Sequence, residues 1–191
     1  MGTYSRELTS MKLPYQKPKG FKEVGKSECF KDYPKLESTF SCLSNRLVSN
    51  DEQFISFIAI PKVFTEKFQK QMETLFLGRE FDYVDKQHAN QIKGIIRSYY
   101  NEEAAKHWRD SVTYYPPDIT KEKFNADSVI SYSIALRPED YYRNKYKYID
   151  ILLLQKKGRG YVYFVSFFTD KARQNINYYR EKIEGVLRYE E

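Results

Sequence analysis

Hydrophobic and polar positions divide the end of the chain into a strand and a helix. Residues 161–168 are almost entirely apolar, which is typical of a strand buried on both faces. After Thr169, apolar residues recur at steps of three and four, which is the spacing of one helical face. These residues are Ala172, Ile176, Tyr179, Ile183, Val186 and Leu187. The pattern predicts a terminal helix that begins at Thr169–Asp170 and covers a sheet.

Four more stretches have the composition of β-strands. Residues 40–48 and 54–60 flank a polar turn at 49–53, which predicts a hairpin that ends at Pro61 because proline cannot donate to the ladder. Residues 128–135 form a further strand. Residues 145–154 and 161–168 flank a turn that contains two glycines, so a long hairpin is expected there.

Three helices are predicted in the middle of the chain. The first begins at the N-cap Thr65 and stops at Gly78, and the second runs from Asp85 to Tyr99. The third is short and is capped by Asn101. This order of elements predicts an α+β fold, in which helices pack on an antiparallel sheet in the manner of an α/β/α sandwich and the C-terminal helix closes the core.

Residues 1–20 differ from the rest of the chain. They lack periodicity, are rich in lysine and end in the turn 18–21, where Gly20 accepts a positive φ. We therefore expect a flexible N-terminal tether at 1–20 and one α+β domain at 21–191. Such a tether is typical of an exported protein or lipoprotein whose leader was removed, which favours a periplasmic or envelope-associated location, with the cytoplasm as the alternative.

The charge of the chain is basic but spread out. There are 32 Lys and Arg against 26 Asp and Glu, which gives a net charge of +6. Residues 11–35 and 137–160 each carry seven basic and three acidic residues. No recognition helix, aromatic RNA-binding strand or zinc-finger spacing accompanies these segments, so nucleic acid is not the expected partner and stays an alternative. A basic surface that meets an acidic protein or an anionic membrane surface is favoured instead.

The two cysteines, Cys29 and Cys42, lie thirteen residues apart and no other cysteine is present. An even count so placed suits one disulfide in an oxidising compartment. Two reduced thiols in a cytosolic protein are the alternative.

No constellation of residues predicts catalysis, a metal or a cofactor. Of the two histidines, His107 is four residues from Glu103 on a predicted helix, which makes it a solvent-side residue paired with that carboxylate. His88 has the spacing of a residue at the border of the core. The Gly158-Arg159-Gly160 sequence lies between two strands and opens no helix, so it is a hairpin turn and not a phosphate loop. The alternative is a small hydrolase or ligand-binding protein that uses a cleft between sheet and helices.

The order of elements resembles that of PsbP-like domains. The likeness covers roughly residues 20–189: a Pro18-Lys19-Gly20-Phe21 turn before a strand hairpin and helix, then a long apolar hairpin and a capped amphipathic helix. The resemblance implies a small antiparallel α/β/α sandwich that acts as a binding or assembly module without catalytic residues. In its composition the chain also resembles small envelope proteins and lipoproteins of Bacteroidetes-type bacteria.

The expected function is therefore binding of another protein in the bacterial envelope. An immunity protein that neutralises a secreted toxin and an accessory lipoprotein of a secretion system both fit this class. The chain has eighteen Tyr and one Trp, and Tyr and Arg concentrate binding energy at interfaces. The predicted partner surface comprises Tyr114, Tyr115, Arg137, Tyr141, Tyr142, Arg143 and Tyr146.

Overall fold

One antiparallel sheet organises the part of the chain that the computed structural model describes, residues 8–9, 11–26, 45–59, 83–156 and 159–191. Its strands are β1 (Phe21–Lys26), β2 (Asn45–Ser49), β3 (Phe54–Ala59), β4 (Thr113–Tyr114), β5 (Ser128–Ala135), β6 (Tyr148–Lys156) and β7 (Gly160–Phe168). Their order across the sheet is β1-β2-β3-β7-β6-β5-β4, and each neighbouring pair is antiparallel. The predicted α+β fold is confirmed.

The helical elements lie between β3 and β4, between β4 and β5, between β5 and β6, and after β7. They are α1 (Tyr83–Tyr99), α2 (Glu102–Lys106), α3 (Pro117–Ile119), α4 (Asp170–Arg173) and α5 (Ile176–Glu184). A 3₁₀ turn follows α2 at Trp108–Ser111, a π-helical turn follows α3 at Thr120–Phe124, and a second 3₁₀ turn occupies Pro138–Asp140. None of the helices among the described residues is both long and apolar enough to span a bilayer.

The first face of the sheet packs against α1. Alternate residues of β3, β5, β6 and β7 point to this face because side chains alternate along a strand. They form one buried cluster with Ile92, Ile95, Ile96 and Tyr99 of α1 and with Trp108. The spacing of the α1 residues is that of one helical face, as predicted. Asn101 caps α2 as expected, since its side chain accepts a hydrogen bond of 2.8 Å from the Ala104 amide.

The second face of the sheet packs against α5 and the two ends of the chain. Tyr179 and Ile183 of α5 are buried in this layer together with Phe54, Phe164 and Phe168. Tyr179 stacks on Phe54 with ring centroids 5.1 Å apart. The C-terminal part of the chain therefore closes the core, as the periodicity after Thr169 predicts.

The last residues are part of the core. Tyr189 is fully buried, and its hydroxyl donates to the Gly160 carbonyl over 3.0 Å. The Tyr189 amide donates to the Phe124 carbonyl, and the side-chain amide of Asn125 donates to the Tyr189 carbonyl. These bonds fix the C-terminal segment to the turn that follows α3.

The expected flexible tether at residues 1–20 is wrong for residues 11–20. Met11 and Leu13 have 0% and 1% of their surface exposed, and both belong to the second-face cluster. The Gln16 amide donates to the Val186 carbonyl, and the Glu190 amide donates to the Lys12 carbonyl. The physical reason is that two apolar residues in a lysine-rich segment suffice to anchor it when backbone bonds to the C-terminal segment satisfy its polar groups.

Other details depart from the expected elements. The terminal helix is interrupted between α4 and α5, where Asn175 adopts a non-helical backbone (φ −133°, ψ 37°), as Asn does readily by bonding locally. Strands β1 and β4 and the helical turns at 117–124 were not expected. The predicted helix from Thr65 to Gly78 and the Cys29 and Cys42 pair lie outside the described residues.

Candidate functional site

A row of polar side chains crosses the second face of the sheet beneath α5. The strand register places Ser56 opposite Ser166, Ser166 opposite Asp150, and Asp150 opposite Ser133. The Ser166 hydroxyl donates to Ser56 over 2.9 Å, and the Ser133 hydroxyl donates to Asp150 Oδ1 over 2.5 Å. Because neighbouring strands put facing residues about 5 Å apart, one polar residue per strand is enough to form a continuous row.

Arg180 of α5 closes the row from above. Its Nε donates to Asp150 Oδ2 over 2.9 Å and its Nη2 donates to Asp150 Oδ1 over 2.6 Å, a bidentate pair. Nη2 also lies 2.9 Å from the Ser133 hydroxyl oxygen. The Asp150 side chain is 7% exposed and that of Arg180 is 32% exposed. Hydrogen bonding to Asp150 raises the pKa of the Arg180 guanidinium, so the arginine keeps its positive charge.

A second polar contact joins α5 to the start of α3. The Tyr115 hydroxyl donates to Glu184 Oε1 over 2.6 Å, and Lys123 pairs with Glu184 Oε2 over 2.9 Å. Burial is the largest cause that raises the pKa of Tyr115, and the hydrogen bond to the Glu184 carboxylate raises it further. Tyr115 therefore remains a protonated donor. Helix α5 is thus held to the sheet and to the 115–124 segment by charged groups as well as by its apolar face.

The space between these groups is small. The cavity is lined by Phe54, Tyr115, Ser131, Asp150, Leu152, Ser166, Arg180, Ile183 and Glu184. It leaves about 10 Å³ for the centre of a water molecule, which is room for about one water. A site for a small organic ligand usually encloses roughly 300 Å³ or more. In this conformation, the polar row therefore serves to fix α5 on the sheet.

The loop that joins β5 to β6, residues 136–147, is the second candidate site. Its base is closed by the Leu136 amide, which donates to the Lys147 carbonyl over 2.8 Å. Further out, Tyr142 and Tyr146 pair through two backbone bonds of 3.1 and 3.0 Å. Both rings are buried: Tyr142 stacks on Phe167 with centroids 4.5 Å apart, and the Tyr146 hydroxyl donates to the Glu52 carbonyl over 3.0 Å.

The tip of this loop presents cations in a strained turn. Arg143 and Asn144 have φ values of 52° and 55°, the pattern of the tight hairpin turns that usually carry Asn and Gly. The Lys145 amide donates to the Tyr142 carbonyl over 3.2 Å and closes the turn. The exposed Arg143 and Lys145 lie over the rings of Tyr142 and Tyr146 at 5.3 and 5.4 Å. Among the described residues, no carboxylate pairs with either cation. We call Arg143–Lys145 the basic tip.

The structure divides the predicted partner surface among different places. Arg143 is at the basic tip and is exposed, and Tyr141 is half-buried beside Lys147. Tyr142 and Tyr146 are 5% and 4% exposed and belong to the first-face core. Their expected role as contact residues is therefore corrected to that of anchors, because an aromatic ring in the core cannot reach a partner.

The remaining three predicted residues lie elsewhere. Arg137 is exposed and pairs with Asp140 over 3.1 Å. Tyr114 is 52% exposed on β4, whereas Tyr115 packs against the second face and bonds to Glu184. Tyr115 and Tyr142 thus lie on opposite faces of the sheet. The seven residues do not form one surface.

The sequence-predicted Glu103–His107 pair is present on the surface. His107 Nε2 lies 3.4 Å from Glu103 Oε1, and Asp110 is 3.9 Å from the other ring nitrogen. All three side chains are more than half exposed, and Lys106 also bonds to Glu103. The part of the chain that the structure describes contains no group of three or more metal-ligating side chains.

Comparison of the chain with protein-family models, with curated proteins and with solved structures gave no significant match. The resemblance to PsbP-like domains therefore stays a prediction. The function has to be argued from the geometry of the molecule itself.

Sequence reasoning missed the polar row. Ser56, Asp150 and Ser166 each occupy a buried position between apolar neighbours in a strand. A polar residue in such a strand needs a hydrogen-bond partner, which was the available signal. The pairing of these residues depends on strand order and register, neither of which a single sequence specifies.

Proposed function

We propose that this chain is a protein-binding domain and that the basic tip of the 136–147 loop contacts an acidic partner. The observation that carries the proposal is the conformation of Arg143. Its left-handed backbone costs about 1 kcal/mol for a residue other than glycine. Gly would form the same turn without that cost and Asn with a smaller one, so the turn alone does not require an arginine.

The support beneath the tip favours binding. The stacking of Tyr142 on Phe167 and the bond from Tyr146 to Glu52 hold the turn from below. A loop that is ordered before it meets its partner loses less conformational entropy on binding. The core aromatics therefore contribute to recognition by fixing Arg143 and Lys145 in space.

The charges at the tip favour an acidic partner. Arg143 and Lys145 are exposed and, unlike Arg137 and Lys147, are not paired with a carboxylate among the described residues. An arginine without a carboxylate partner can form a bidentate pair with one supplied by another protein. Lys145 adds a second positive charge beside it.

The setting that we propose is the bacterial envelope, with an immunity protein or a secretion-system accessory lipoprotein as the finer alternatives. This part of the proposal is supported by the sequence through the Cys29 and Cys42 pair, which suits an oxidising compartment. A protein that neutralises a toxin suits a basic contact surface, since electrostatic attraction increases the rate of association with an acidic target.

The test is capture of partners from an envelope fraction on three immobilised proteins at moderate salt. They are the wild type, the tip variant Arg143→Glu/Lys145→Glu, and a control variant Lys19→Glu/Lys22→Glu. The control makes the same change of charge at exposed residues near β1. Alanine at Tyr142 is unsuitable because that ring is part of the core.

We expect the wild type and the control to retain the same protein in near-stoichiometric amounts. The tip variant should retain about tenfold less, since reversing two surface charges changes the binding free energy by about 1.4 kcal/mol or more. Equal recovery on all three proteins would overturn the proposal. Retention of nucleic acid in place of a protein would overturn it in favour of the basic nucleic-acid binder.

A further inference from the structure

Two lysine side chains converge on Asn125, the residue that follows the π-helical turn. Lys121 Nζ donates to the side-chain oxygen Oδ1 of Asn125 over 2.6 Å. Lys156 Nζ, at the end of β6, donates to the Asn125 carbonyl over 2.6 Å. Asn125 is 1% exposed and has a left-handed backbone with φ 47°. One buried residue therefore holds both ammonium groups.

The core of the protein fixes Asn125 in this position. Its side-chain amide donates to the Tyr189 carbonyl over 3.0 Å, and its backbone amide donates to the Lys121 carbonyl over 3.0 Å. The Lys156 ammonium also lies 5.8 Å from the centroid of the Tyr189 ring, which is fully buried. The places of the two ammonium groups are thus set by buried residues.

The positive charge at this place has no paired carboxylate. Within the ranges that the structure describes, no ion pair includes Lys121, Lys156 or Arg159, whose amide closes the turn after β6 by donating to the Lys156 carbonyl over 3.0 Å. Burial lowers the pKa of Lys156, and the charges of Lys121 and Arg159 lower it further. Asp127 and Glu191 act in the opposite direction without reversing the shift. We call Lys121, Lys156 and Arg159 the cationic cluster.

Both ammonium groups have donors to spare. A lysine ammonium has three N–H donors, and the bonds to Asn125 use one from each. The described part of the chain supplies no further hydrogen-bond acceptor to either group. Lys121 is exposed, and Lys156 and Arg159 are half-buried, so the cluster is open to solvent on the side of Lys121.

The charge and the spare donors suit a phosphate group. A phosphate monoester carries nearly two negative charges at pH 7 and has three strong acceptor oxygens. Lysine binds phosphate as a point charge, and the arginine fork binds two of its oxygens at once. A carboxylate, with one charge and two oxygens, would leave two of the three cations without compensation.

We propose that the cationic cluster binds a phosphate group, either free phosphate or the phosphate of a small phosphorylated molecule. Lys156 is the last residue of β6, whereas the 136–147 loop precedes the first residue of that strand. Nine residues of β-strand span about 26 Å, so the cluster and the basic tip are separate surfaces. The inference goes beyond the proposed protein binding and does not depend on it.

The test is titration of the ¹³C,¹⁵N-labelled full chain with sodium phosphate at pH 7 and constant ionic strength, followed by the lysine ε-methylene and backbone amide signals. Sodium acetate is the monovalent control. We expect saturable shifts at Lys121, Lys156 and Asn125 with phosphate, and at least about fivefold weaker binding of acetate because its charge is smaller. Phenyl phosphate distinguishes the two sources: tighter binding than free phosphate identifies a monoester, and weaker binding identifies free phosphate.

Two variants separate the cluster from the remaining basic surface. Lys121→Met removes one exposed charge and should weaken phosphate binding at least about fivefold. It should also raise the pKa of Lys156 toward its ordinary value, because the repulsion from Lys121 is lost. Lys22→Met removes the same charge from an exposed position on β1 and should leave both properties unchanged.

Four results would overturn the inference. The first is the absence of saturable shifts at Lys121 and Lys156 at millimolar phosphate, and the second is equal binding of phosphate and acetate. Both concern the wild-type chain, so they decide the question even if Lys121→Met fails to fold. The third is phosphate binding that Lys121→Met leaves unchanged. The fourth is a set of shifts centred on Arg143 and Lys145, which would place the phosphate at the basic tip.

Discussion

The Asp150–Arg180 pair allows an asymmetric prediction, because its two members differ in exposure. Replacing Arg180 with Met leaves a carboxylate that is 7% exposed with one side-chain donor, the Ser133 hydroxyl. Replacing Asp150 with Asn leaves a guanidinium that is 32% exposed and that water can reach. We therefore expect Arg180→Met to be the more destabilising change.

The magnitudes follow from burial. Removing one partner of a fully buried ion pair costs about 3–5 kcal/mol. Arg180→Met should approach the lower end, about 3 kcal/mol, since the stranded Asp150 is almost fully buried. Asp150→Asn should cost about 1–2 kcal/mol, because the amide oxygen still accepts one bond and the cation is hydrated. The double variant leaves no buried charge, so its cost should be less than the sum by about 1–2 kcal/mol.

The assay is urea unfolding followed by far-ultraviolet circular dichroism for the wild type, both single variants and the double variant. We expect lower transition midpoints, with an unchanged dependence of the unfolding free energy on urea concentration. A cost for Asp150→Asn that equals or exceeds that for Arg180→Met would show that the difference in exposure does not determine the cost. Strict additivity in the double variant would show that the two side chains act independently.

Three further predictions concern the C-terminus, the response to acid and the basic tip. Tyr189→Ala should lower the free energy of unfolding by about 3–5 kcal/mol because the ring is fully buried, and Tyr189→Phe by only about 1 kcal/mol because it loses just the bond to Gly160. Partial burial acts to raise the pKa of Asp51, but hydrogen bonds, including one from the Tyr179 hydroxyl, outweigh it and hold the pKa below its ordinary value. The unfolded state then binds more protons, so the melting temperature should fall as the pH drops below about 5, and it should fall less in Asp51→Asn. Arg143→Asn should stabilise the chain by about 0.5 kcal/mol while it weakens partner capture, because Asn tolerates a left-handed backbone better.

Each of these predictions has a clear contrary result. Tyr189→Ala and Tyr189→Phe with equal midpoints in urea would show that the ring is not packed as described. Identical pH profiles of the melting temperature for the wild type and Asp51→Asn would show that the hydrogen bonds to Asp51, including the one from Tyr179, do not stabilise its ionised form. A destabilised Arg143→Asn variant would mean that the arginine supports the turn, and its left-handed backbone would then carry no argument for binding.

Local patterns in the sequence predicted the parts of the fold that depend on local interactions. Strand β5 coincides with the predicted residues 128–135, and the long hairpin and the helix ending at Tyr99 were likewise found from periodicity. Strand β4 was not predicted because two residues are too few to show an alternation of apolar and polar positions. The turns at 117–124 were not predicted because two successive prolines, Pro116 and Pro117, indicate the end of a helix. In the structure Pro117 instead occupies the first position of a short helix, where proline is also common.

The candidate site was less accessible to sequence reasoning because its residues meet only in the folded sheet. Arg143 was predicted as a contact residue and is exposed, but the same reasoning took Tyr142 and Tyr146 for surface residues. A tyrosine in a loop is equally compatible with a contact surface and with an anchor, since its ring favours burial and its hydroxyl needs only one partner. The row that ends at Arg180 depends on the register of four strands and the position of α5, which no local pattern encodes.

Recognition of an acidic protein by the basic tip can be measured as a single ratio. It is the amount of the retained partner on the wild type divided by that on Arg143→Glu/Lys145→Glu, measured by quantitative mass spectrometry of captures from the envelope fraction. We expect a ratio of about ten or more, with a ratio near one for Lys19→Glu/Lys22→Glu. A ratio near one for both variants would contradict it.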